Sequence, residues 1–241
     1  MADTIRINKF FTQHGICSRR EADRLIEAGR VTINQRIASL GDRVSPGDMV
    51  ARDGRIIPWR TPAVYIKYHK PVGVTTTSEA HVPRNIIAEV GHMERIFPIG
   101  RLDKDSSGLI LLTNDGDIVN AILRTEHGHE REYDVEVDRA FDQTFVDRMA
   151  AGLVILGSRT KPCRVERLGP RCFRIILTEG RNRQIRRMCR ALGYRVISLH
   201  RVRIMHVTIA GLMPGKWQAL TEEERVKLFR AVGRNSIETE G

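Results

Sequence analysis

The stretch GRLDKDSSGLILLTNDG, residues 100–116, joins two apolar segments through a short charged turn. Asp, Ser and Gly are residues that turns select, so a solvated connection between two strands would account for this composition. The segment RIFPIGRLD leads into Asp103, and the segment GLILLTND leads away from the turn. We therefore expect Asp103 at a strand end above a core, a position that also suits a preorganised functional site.

Strands and helices follow one another irregularly on both sides of this stretch. Alternating hydrophobicity predicts strands near 64–69, 108–113, 131–137, 153–156, 161–167, 171–178 and 194–209. Helical periodicity predicts helices near 85–90, 115–124, 142–151, 182–192 and 222–232. Strand follows strand too often for a doubly wound parallel fold, and no long internal repeat is visible. We therefore expect an α+β chain whose mixed, largely antiparallel sheet is flanked by helices.

A small module precedes these elements. Its second helix is marked by Ser18 and Glu21, which have the spacing of a capping box, and by Gly29, which ends the helix. The fragments VTIN and IAS and the turn SPGD predict short strands. A segment with two prolines and interrupted periodicity follows and predicts a linker. The predicted division is a module over 5–50, a linker over 51–63, a larger domain over 64–232 and a polar tail over 233–241.

The chain is strongly basic. Of its 241 residues 41% are hydrophobic, which suits globular domains with a core. The net charge of +11, from 40 Lys and Arg against 29 Asp and Glu, predicts a polyanionic partner. Nine cations and no acidic residue lie between Glu179 and Glu222. Because no segment couples this charge to a strongly apolar face, nucleic acid is favoured over a membrane surface.

Other classes of site and location find no support in the sequence. No run approaches the ~20 apolar residues of a membrane span, and MADTIRINKF lacks the apolar region of a secretory signal, so a cytoplasmic location is expected. His127 and His129 could chelate a metal, but two histidines in a polar loop are more typical of a surface. We predict no metal, no cofactor and a monomer. The cysteines, which lack CxxC pairing and are expected to be free thiols, are Cys17, Cys163, Cys172 and Cys189.

The segment RNRQIRRMCRALG, residues 181–193, predicts an amphipathic helix. Its apolar side consists of Ile185, Met188, Cys189 and Leu192, and its cationic side of Arg183, Arg186, Arg187 and Arg190. The preceding TEGRN leads from a strand into the helix N-terminus, where free N–H groups favour an anion. Because few acidic residues are nearby in sequence, the pattern predicts phosphate contacts rather than salt bridges for these arginines.

The first module resembles the S4 domain, a small RNA-binding module. The resemblance covers IRINKFFTQHGICSRREADRLIEAGRVTINQRIASLGDRVSPGD, which is most of residues 5–50. It implies RNA binding rather than catalysis. Arg19, Arg20 and Arg24 cluster on the second helix, away from Leu25. They could hold phosphates or form a solvated helix face, and charge alone leaves both interpretations open.

The remaining chain resembles the pseudouridine synthases. Residues 100–116 are similar to the catalytic motif of this family, and three further motifs lie in the family's order: HKPVGVTTT at 69–77, EREYDVEV at 130–137 and RIILTEGRNRQIRRM at 174–188. The combination with an S4 domain is typical of the RsuA-like group. Within it, GLVILGSRTKPCRV and RVRIMHVTIAGLMPGKWQALTEEE look most like the RluF branch, which acts on large-subunit ribosomal RNA.

The resemblance implies roles for particular residues. Asp103 would be the catalytic aspartate, and Arg186 would pair with it. Tyr133 would stack on the target uracil and serve in proton transfer, with Leu177 packed beside it. Arg101 would support the flipped nucleotide or fill the gap that it leaves. The other implied substrate-binding residues are Leu102, Lys104, Arg183, Gln184, Ile185, Arg187 and Arg190, together with Arg19, Arg20 and Arg24 of the first module.

Two further positions of the motifs are informative. Lys70 and Pro71 match the first motif, and a structural role is expected for them. Glu132 departs from the family pattern, because many relatives carry Lys at this position, whereas Tyr133 itself is in place.

The implied reaction is isomerisation of a uridine. The bond from C1′ to N1 breaks, the base rotates and C1′ joins C5, with no redox change, so protein groups alone suffice. Asp103 could act as a nucleophile toward C1′ or as a base toward the C2′ hydrogen. The implied substrate is ribosomal RNA, most simply that of the large subunit, with 16S RNA and tRNA left open. Flipping the uracil out of its stack would cost a few kcal/mol.

Two other classes of function fit the sequence less well. A non-enzymatic S4-type ribosome-binding or assembly protein would leave the long chain beyond the first module without a purpose. A nuclease or hydrolase would need paired carboxylates or a metal cluster, and Asp103 with Asp105 does not complete one.

Overall fold

The computed structural model describes residues 4–59, 63–123 and 128–233. The chain divides into two compact units. The first comprises residues 1–64, 92–97 and 113–116, and the second comprises residues 65–91, 98–112 and 117–241. Within the described residues, no helix has the length and apolar character that crossing a bilayer requires.

The first unit contains two helices and short strands, as the sequence predicts. A two-stranded sheet pairs β1 with β4, and a four-stranded sheet has the order β3-β2-β5-β6. Phe10 and Phe11 on the first helix and Leu25 on the second are buried with the inward residues of the sheet. The elements are β1 (Ile5–Arg6), α1 (Ile7–Gln13), α2 (Arg19–Glu27), β2 (Val31–Ile33), β3 (Arg36–Ile37), β4 (Arg43–Val44), β5 (Val50–Arg52) and β6 (Arg55–Ile56).

Helix α2 begins and ends close to the predicted residues, but only half of the capping box forms. The Ser18 hydroxyl accepts a hydrogen bond from the Glu21 amide at 3.2 Å. The Glu21 carboxylate contacts Arg24 at 3.5 Å, and among the described contacts no return bond to the Ser18 backbone completes the box. Gly29 follows the helix with a φ of +67°, which is the left-handed conformation that glycine adopts without strain.

The prediction of a linker over 51–63 is wrong for its first part. Strands β5 and β6 form a hairpin around Asp53 and Gly54, whose φ values of +50° and +75° give the two-residue turn that Asp-Gly favours. Ile57 is buried in the core of the first unit, and the Trp59 ring packs on Phe10 at a centroid distance of 4.8 Å. Pro58 therefore follows the end of a hairpin instead of marking a flexible connection. Residues 60–62 lie outside the described part.

The second unit is built on a nine-stranded mixed sheet. Its strand order is β13-β14-β10-β15-β9-β7-β17, with β16 beside β15 and β8 beside β9. The elements are β7 (Tyr65–Lys70), α3 (Ile86–Val90), β8 (Phe97–Ile99), β9 (Ser107–Thr113), α4 (Gly116–Leu123), β10 (Arg131–Val137), α5 (Gln143–Ala151), β11 (Val154–Ile155), β12 (Ser158–Arg159), β13 (Arg164–Arg167), β14 (Cys172–Leu177), α6 (Gln184–Ala191), β15 (Val196–Ile204), β16 (Val207–Thr208), β17 (Trp217–Ala219) and α7 (Glu222–Ala231).

The α+β prediction is confirmed in this unit. Strands β13, β14, β10 and β15 pair antiparallel in that order, whereas β15 and β9 pair in parallel. The predicted strand 194–209 is two strands, because the chain reverses at Met205, whose φ is +54°, without a Gly or Asn to mark the turn. Strand β17 was not predicted. All five predicted helices form within a few residues of their expected bounds.

Two hydrophobic clusters stabilise the second unit. One joins α5 and α6 to β10 and β14 through residues such as Phe145, Phe173 and Met188. The other joins α4 and α7 to β7 and β9, and Leu109 and Phe229 belong to it. All four cysteines are free, as expected from their spacing.

Gly108 allows β9 and β15 to pair closely. It lies opposite Arg201 in the parallel register and has a φ of +111°. A Cβ at this position would lie 2.3 Å from the carbonyl oxygen of Arg201. The glycine in DSSG is therefore a packing requirement, which fixes where the Asp103 turn enters the sheet.

Candidate active site

A cavity of about 1050 Å³ lies in the second unit, and Asp103 is in its wall. Several chain segments that are distant in sequence converge here, because the central strands of the sheet and the N-terminal end of α6 open toward the same space. The segments that contribute lining residues are 72–76, 99–106, 122–123, 131–133, 177–186 and 199–204.

Asp103 is held in a rigid turn. Its carbonyl accepts from the Ser106 amide at 3.1 Å, and the backbone of the neighbouring Leu102 bonds in both directions to the buried Thr76 hydroxyl. The side chain is 29% exposed to solvent. One carboxylate oxygen lies 3.2 Å from Arg183 Nη1 and 3.7 Å from Arg186 Nε. The structure thus gives this carboxylate two cationic neighbours and access to the cavity.

Arg186 connects the helix to the Asp103 turn. Its side chain is 13% exposed, and its Nη2 donates to the Asp105 carbonyl at 3.0 Å and to the Ser106 hydroxyl at 3.1 Å. The buried Nε has no hydrogen-bond partner among the described residues. The expected pairing with Asp103 is therefore a close electrostatic contact, and the nearer guanidinium is that of Arg183.

The prediction of phosphate contacts rather than salt bridges for the arginines of α6 is wrong for Arg183 and Arg186, which both pair with Asp103 and Asp105. The helix starts two residues later than the predicted 182, because Arg183 is its N-cap in the left-handed conformation, with a φ of +50°. This conformation turns the guanidinium toward Asp105, which it meets with two bonds of 3.2 and 3.3 Å. Arg187 bonds to Asn182, and Arg190 is exposed with no ion-pair partner in the described part.

Burial and charge oppose each other around this turn. Burial acts to raise the pKa of Asp105, but the hydrogen bond from Arg183 and the charge of Arg186 outweigh it, so the pKa is lowered. Burial lowers the pKa of Lys70 to about 8, against the opposing charges of Asp105 and Asp103. Lys70 is fully buried, and its ammonium group donates to the carbonyls of Pro71 and Val74, which fits the structural role expected for it.

Tyr133 lies on β10, opposite Ile175 on one side and Arg201 on the other. Together with Leu177 it lines the cavity, and it packs against the hydrophobic cluster of α5, α6, β10 and β14. The Arg201 guanidinium is 6.0 Å from the centre of this ring. Arg201 is nearly fully buried, donates from Nε to the Leu109 carbonyl, and leaves its Nη2 without a partner among the described residues.

Arg131 is a lining residue that the sequence analysis missed. It precedes Tyr133 by two positions on β10, so strand alternation places both on one side of the sheet and could have identified it. Burial lowers its pKa. Its Nη2 donates to the Ile122 carbonyl at 3.3 Å. The cavity thus contains a largely desolvated cation close to Tyr133.

The departure at Glu132 is compensated within the sheet. Its carboxylate contacts Arg203 on β15 at 2.5 Å and Arg174 on β14 at 3.2 Å. Both arginines lie on strands that flank β10. An acid at this position is therefore locally neutralised by two arginines.

The other predicted site residues fall into three groups. All of Arg101, Leu102, Lys104 and Ile185 line the cavity, the two cations as exposed residues and the two apolar residues as buried ones. Gln184 is also buried and binds Glu179 and the Arg181 amide, so its amide group serves the loop rather than a ligand. The third group lies in the first unit, exposed on α2, and comprises Arg19, Arg20 and Arg24.

No group of three or more His, Cys, Asp or Glu side chains is arranged to hold a metal among the residues that the structure describes. His127 lies outside those residues, so the possible pair with His129 is not described.

Comparisons with known proteins identify the family to which the two units belong. A family model described as RNA pseudouridylate synthase matches residues 64–191, and one for the S4 domain matches residues 5–50. The chain is 49% identical over 237 residues to the dual-specificity RNA pseudouridine synthase RluF of Escherichia coli strain K12, covering 98% of this chain and 82% of that protein.

More distant relatives match along their whole length. The ribosomal large subunit pseudouridine synthase B of Bacillus subtilis is 32% identical, with 96% of this chain and 99% of that protein covered. A crystal structure of a pseudouridylate synthase is 29% identical and superposes with a TM-score of 0.69 over 93% of this chain and 99% of that one. The protein is therefore an isomerase that acts on uridine in RNA. The chain belongs to the RsuA-like family of RNA pseudouridine synthases, in which an S4 domain precedes the catalytic domain.

Proposed function

We propose that this protein converts one uridine of ribosomal RNA, in the large subunit, to pseudouridine, with Asp103 as the catalytic carboxylate. The observation that carries the proposal is the position of Asp103, which faces the cavity with Arg183 and Arg186 at 3.2 and 3.7 Å. The two guanidinium groups place positive charge beside the carboxylate oxygen and hold it at the cavity wall, where it can attack C1′ or accept a proton from C2′.

The cavity walls fit a flipped base. Tyr133 offers an aromatic face and Leu177 an apolar one, so a uracil would be held between them. Arg101 is exposed at the rim, where it would support the extruded nucleotide or occupy its place in the stack. Desolvated Arg131 and Arg201 supply donors that suit the carbonyl oxygens of the base or its phosphate.

The choice of RNA rests on the relatives. One is named a ribosomal large subunit synthase and another a dual-specificity RNA synthase. The exposed arginines of α2 would provide sequence-independent phosphate contacts for such an RNA. We also place the protein in the cytoplasm, where its substrate would be found, and expect it to act as a monomer without a cofactor.

The decisive experiment maps pseudouridines in total RNA from cells with and without the gene for this protein. We expect the loss of a modification in large-subunit ribosomal RNA, and its restoration when purified protein is added in the presence of EDTA. Loss confined to 16S RNA or tRNA would contradict the choice of substrate. An unchanged map together with an inactive purified protein would contradict the proposed function.

A second prediction concerns electrostatic binding through α6. Replacing Arg187 and Arg190 with Ala should weaken RNA binding and reduce the dependence of log Kd on log salt by roughly one unit or less per lost phosphate contact. Arg171→Ala is the matched control, because this exposed guanidinium is already paired with Glu136 at 3.1 Å. Titrations of labelled RNA at several salt concentrations measure the slope, and equal slopes in all three proteins would show that this side of α6 faces solvent.

A further inference from the structure

The hairpin formed by β11 and β12 carries an unusual apolar tip. Val154 and Leu156 are 61% and 60% exposed, although both are large hydrophobic residues. Ile155, between them, is buried in the hydrophobic cluster of α5, α6, β10 and β14. Both side chains are exposed on a hairpin that Ile155 anchors, so the core does not use them.

Leu156 also occupies a turn position that disfavours it. Leu156 and Gly157 are the two central residues of the turn, with φ values of +52° and +77°. Such turns strongly prefer Asn or Asp followed by Gly, because a bulky side chain is strained at positive φ. An exposed and strained leucine is thus present where a polar residue would be more favourable for both stability and solubility.

The hairpin is firmly held beside the cavity. Arg181, which lines the cavity, donates to the carbonyls of Ser158 and Arg159 at 3.1 and 2.6 Å. The same guanidinium bonds to the buried carboxylate of Glu179 at 3.2 Å. Strand β11 contacts α6, the helix that carries Arg186. The apolar tip is therefore attached through one side chain to the wall of the candidate active site.

The charge around the tip indicates the kind of partner. No acidic residue occurs between Asp147 and Glu166, a segment that contains four cations. All four of these cations are exposed, namely Arg148, Arg159, Lys161 and Arg164. An apolar projection among cations suits a nucleic acid, because phosphates meet the charges while an unstacked base meets the aliphatic side chains.

We propose that the hairpin tip, Val154 and Leu156, packs against an unstacked base of the substrate RNA next to the flipped uridine. Extrusion of a uridine leaves the faces of neighbouring bases without their stacking partner, and an apolar surface held beside the cavity wall by Arg181 would cover one of them. This inference rests on the proposed function and adds a contact that holds the RNA open during the reaction.

The test variant is Leu156→Asn. An Asn-Gly turn is more favourable than Leu-Gly, so the variant should fold with unchanged or higher thermal stability. The substitution removes the apolar contact of about half of the leucine side chain with the RNA base. For this reason kcat/KM for large-subunit ribosomal RNA should fall about tenfold. The salt dependence of RNA binding should keep its slope, because no phosphate contact is removed.

Leu168→Asn is the matched control, since Leu168 is also exposed in a turn of the second unit and leaves the hairpin intact. It should retain the kcat/KM of the unmodified protein. An unchanged kcat/KM in the Leu156→Asn protein would overturn the contact proposed for the hairpin. An equal fall of kcat/KM in the Leu156→Asn and Leu168→Asn proteins would also overturn it. An unmodified protein that forms no pseudouridine in ribosomal RNA would instead overturn the proposed function, so the two failures are distinguishable.

Discussion

Asp103→Asn should reduce pseudouridine formation by roughly 10⁴-fold or more, as expected when a single essential group is removed. The amide has nearly the same shape as the carboxylate, but it can neither attack C1′ nor accept a proton at neutral pH. RNA affinity should stay within a few fold, because the cationic surfaces remain in place. Single-turnover assays with saturating enzyme, together with equilibrium binding of the same RNA, measure the two quantities separately.

Asp105→Asn is the matched control for that experiment. Both aspartates lie in the same turn and contact the same two arginines, with Arg183 at 3.2 Å from each. If the carboxylates only neutralise Arg183 and Arg186, the two variants should be impaired alike. We expect Asp105→Asn to lose about tenfold at most, because it removes a partly exposed ion pair and no reacting group. Normal turnover by Asp103→Asn would end its assignment as the catalytic carboxylate.

Gly108→Ala should lower the free energy of unfolding by about 3 kcal/mol or more, because overpacking and positive-φ strain add at this residue. The new Cβ would overlap the backbone oxygen and nitrogen of Arg201 at 2.3 and 2.4 Å, and a backbone cannot move aside as a flexible side chain can. Separation of β9 from β15 would displace both Arg201 and the turn that holds Asp103. Turnover should therefore fall together with stability.

Gly211→Ala is the control that separates overpacking from positive-φ strain. Its φ of +73° imposes the same kind of backbone strain, but no atom lies within 4 Å of the added Cβ. We expect a loss of about 1 kcal/mol and normal turnover for this variant. Urea unfolding followed by circular dichroism measures both proteins. A difference of less than about 1 kcal/mol between the two variants would show that the sheet accommodates the methyl group.

Local sequence patterns were sufficient for most of the secondary structure. Helices α4 to α7 follow from apolar periodicity, and strand alternation predicted β10 to the residue. The hairpin at Asp53 was missed because its short strands lie between prolines, although Asp-Gly was a usable turn signal. The reversal at Met205 had no comparable signal.

The sequence by itself determined that an acidic turn with Asp103 follows an apolar strand, that cations dominate the later chain, and that the motifs of one enzyme family occur in order. These properties depend on residue type and spacing, which are local. Only the tertiary structure decided which cations meet that acid. Arg183 reaches Asp103 and Asp105 because one left-handed residue precedes α6, and Arg201 approaches Tyr133 because β15 pairs with both β10 and β9. Such contacts depend on strand register and on a single backbone dihedral angle, neither of which is encoded in the spacing of charges along the chain.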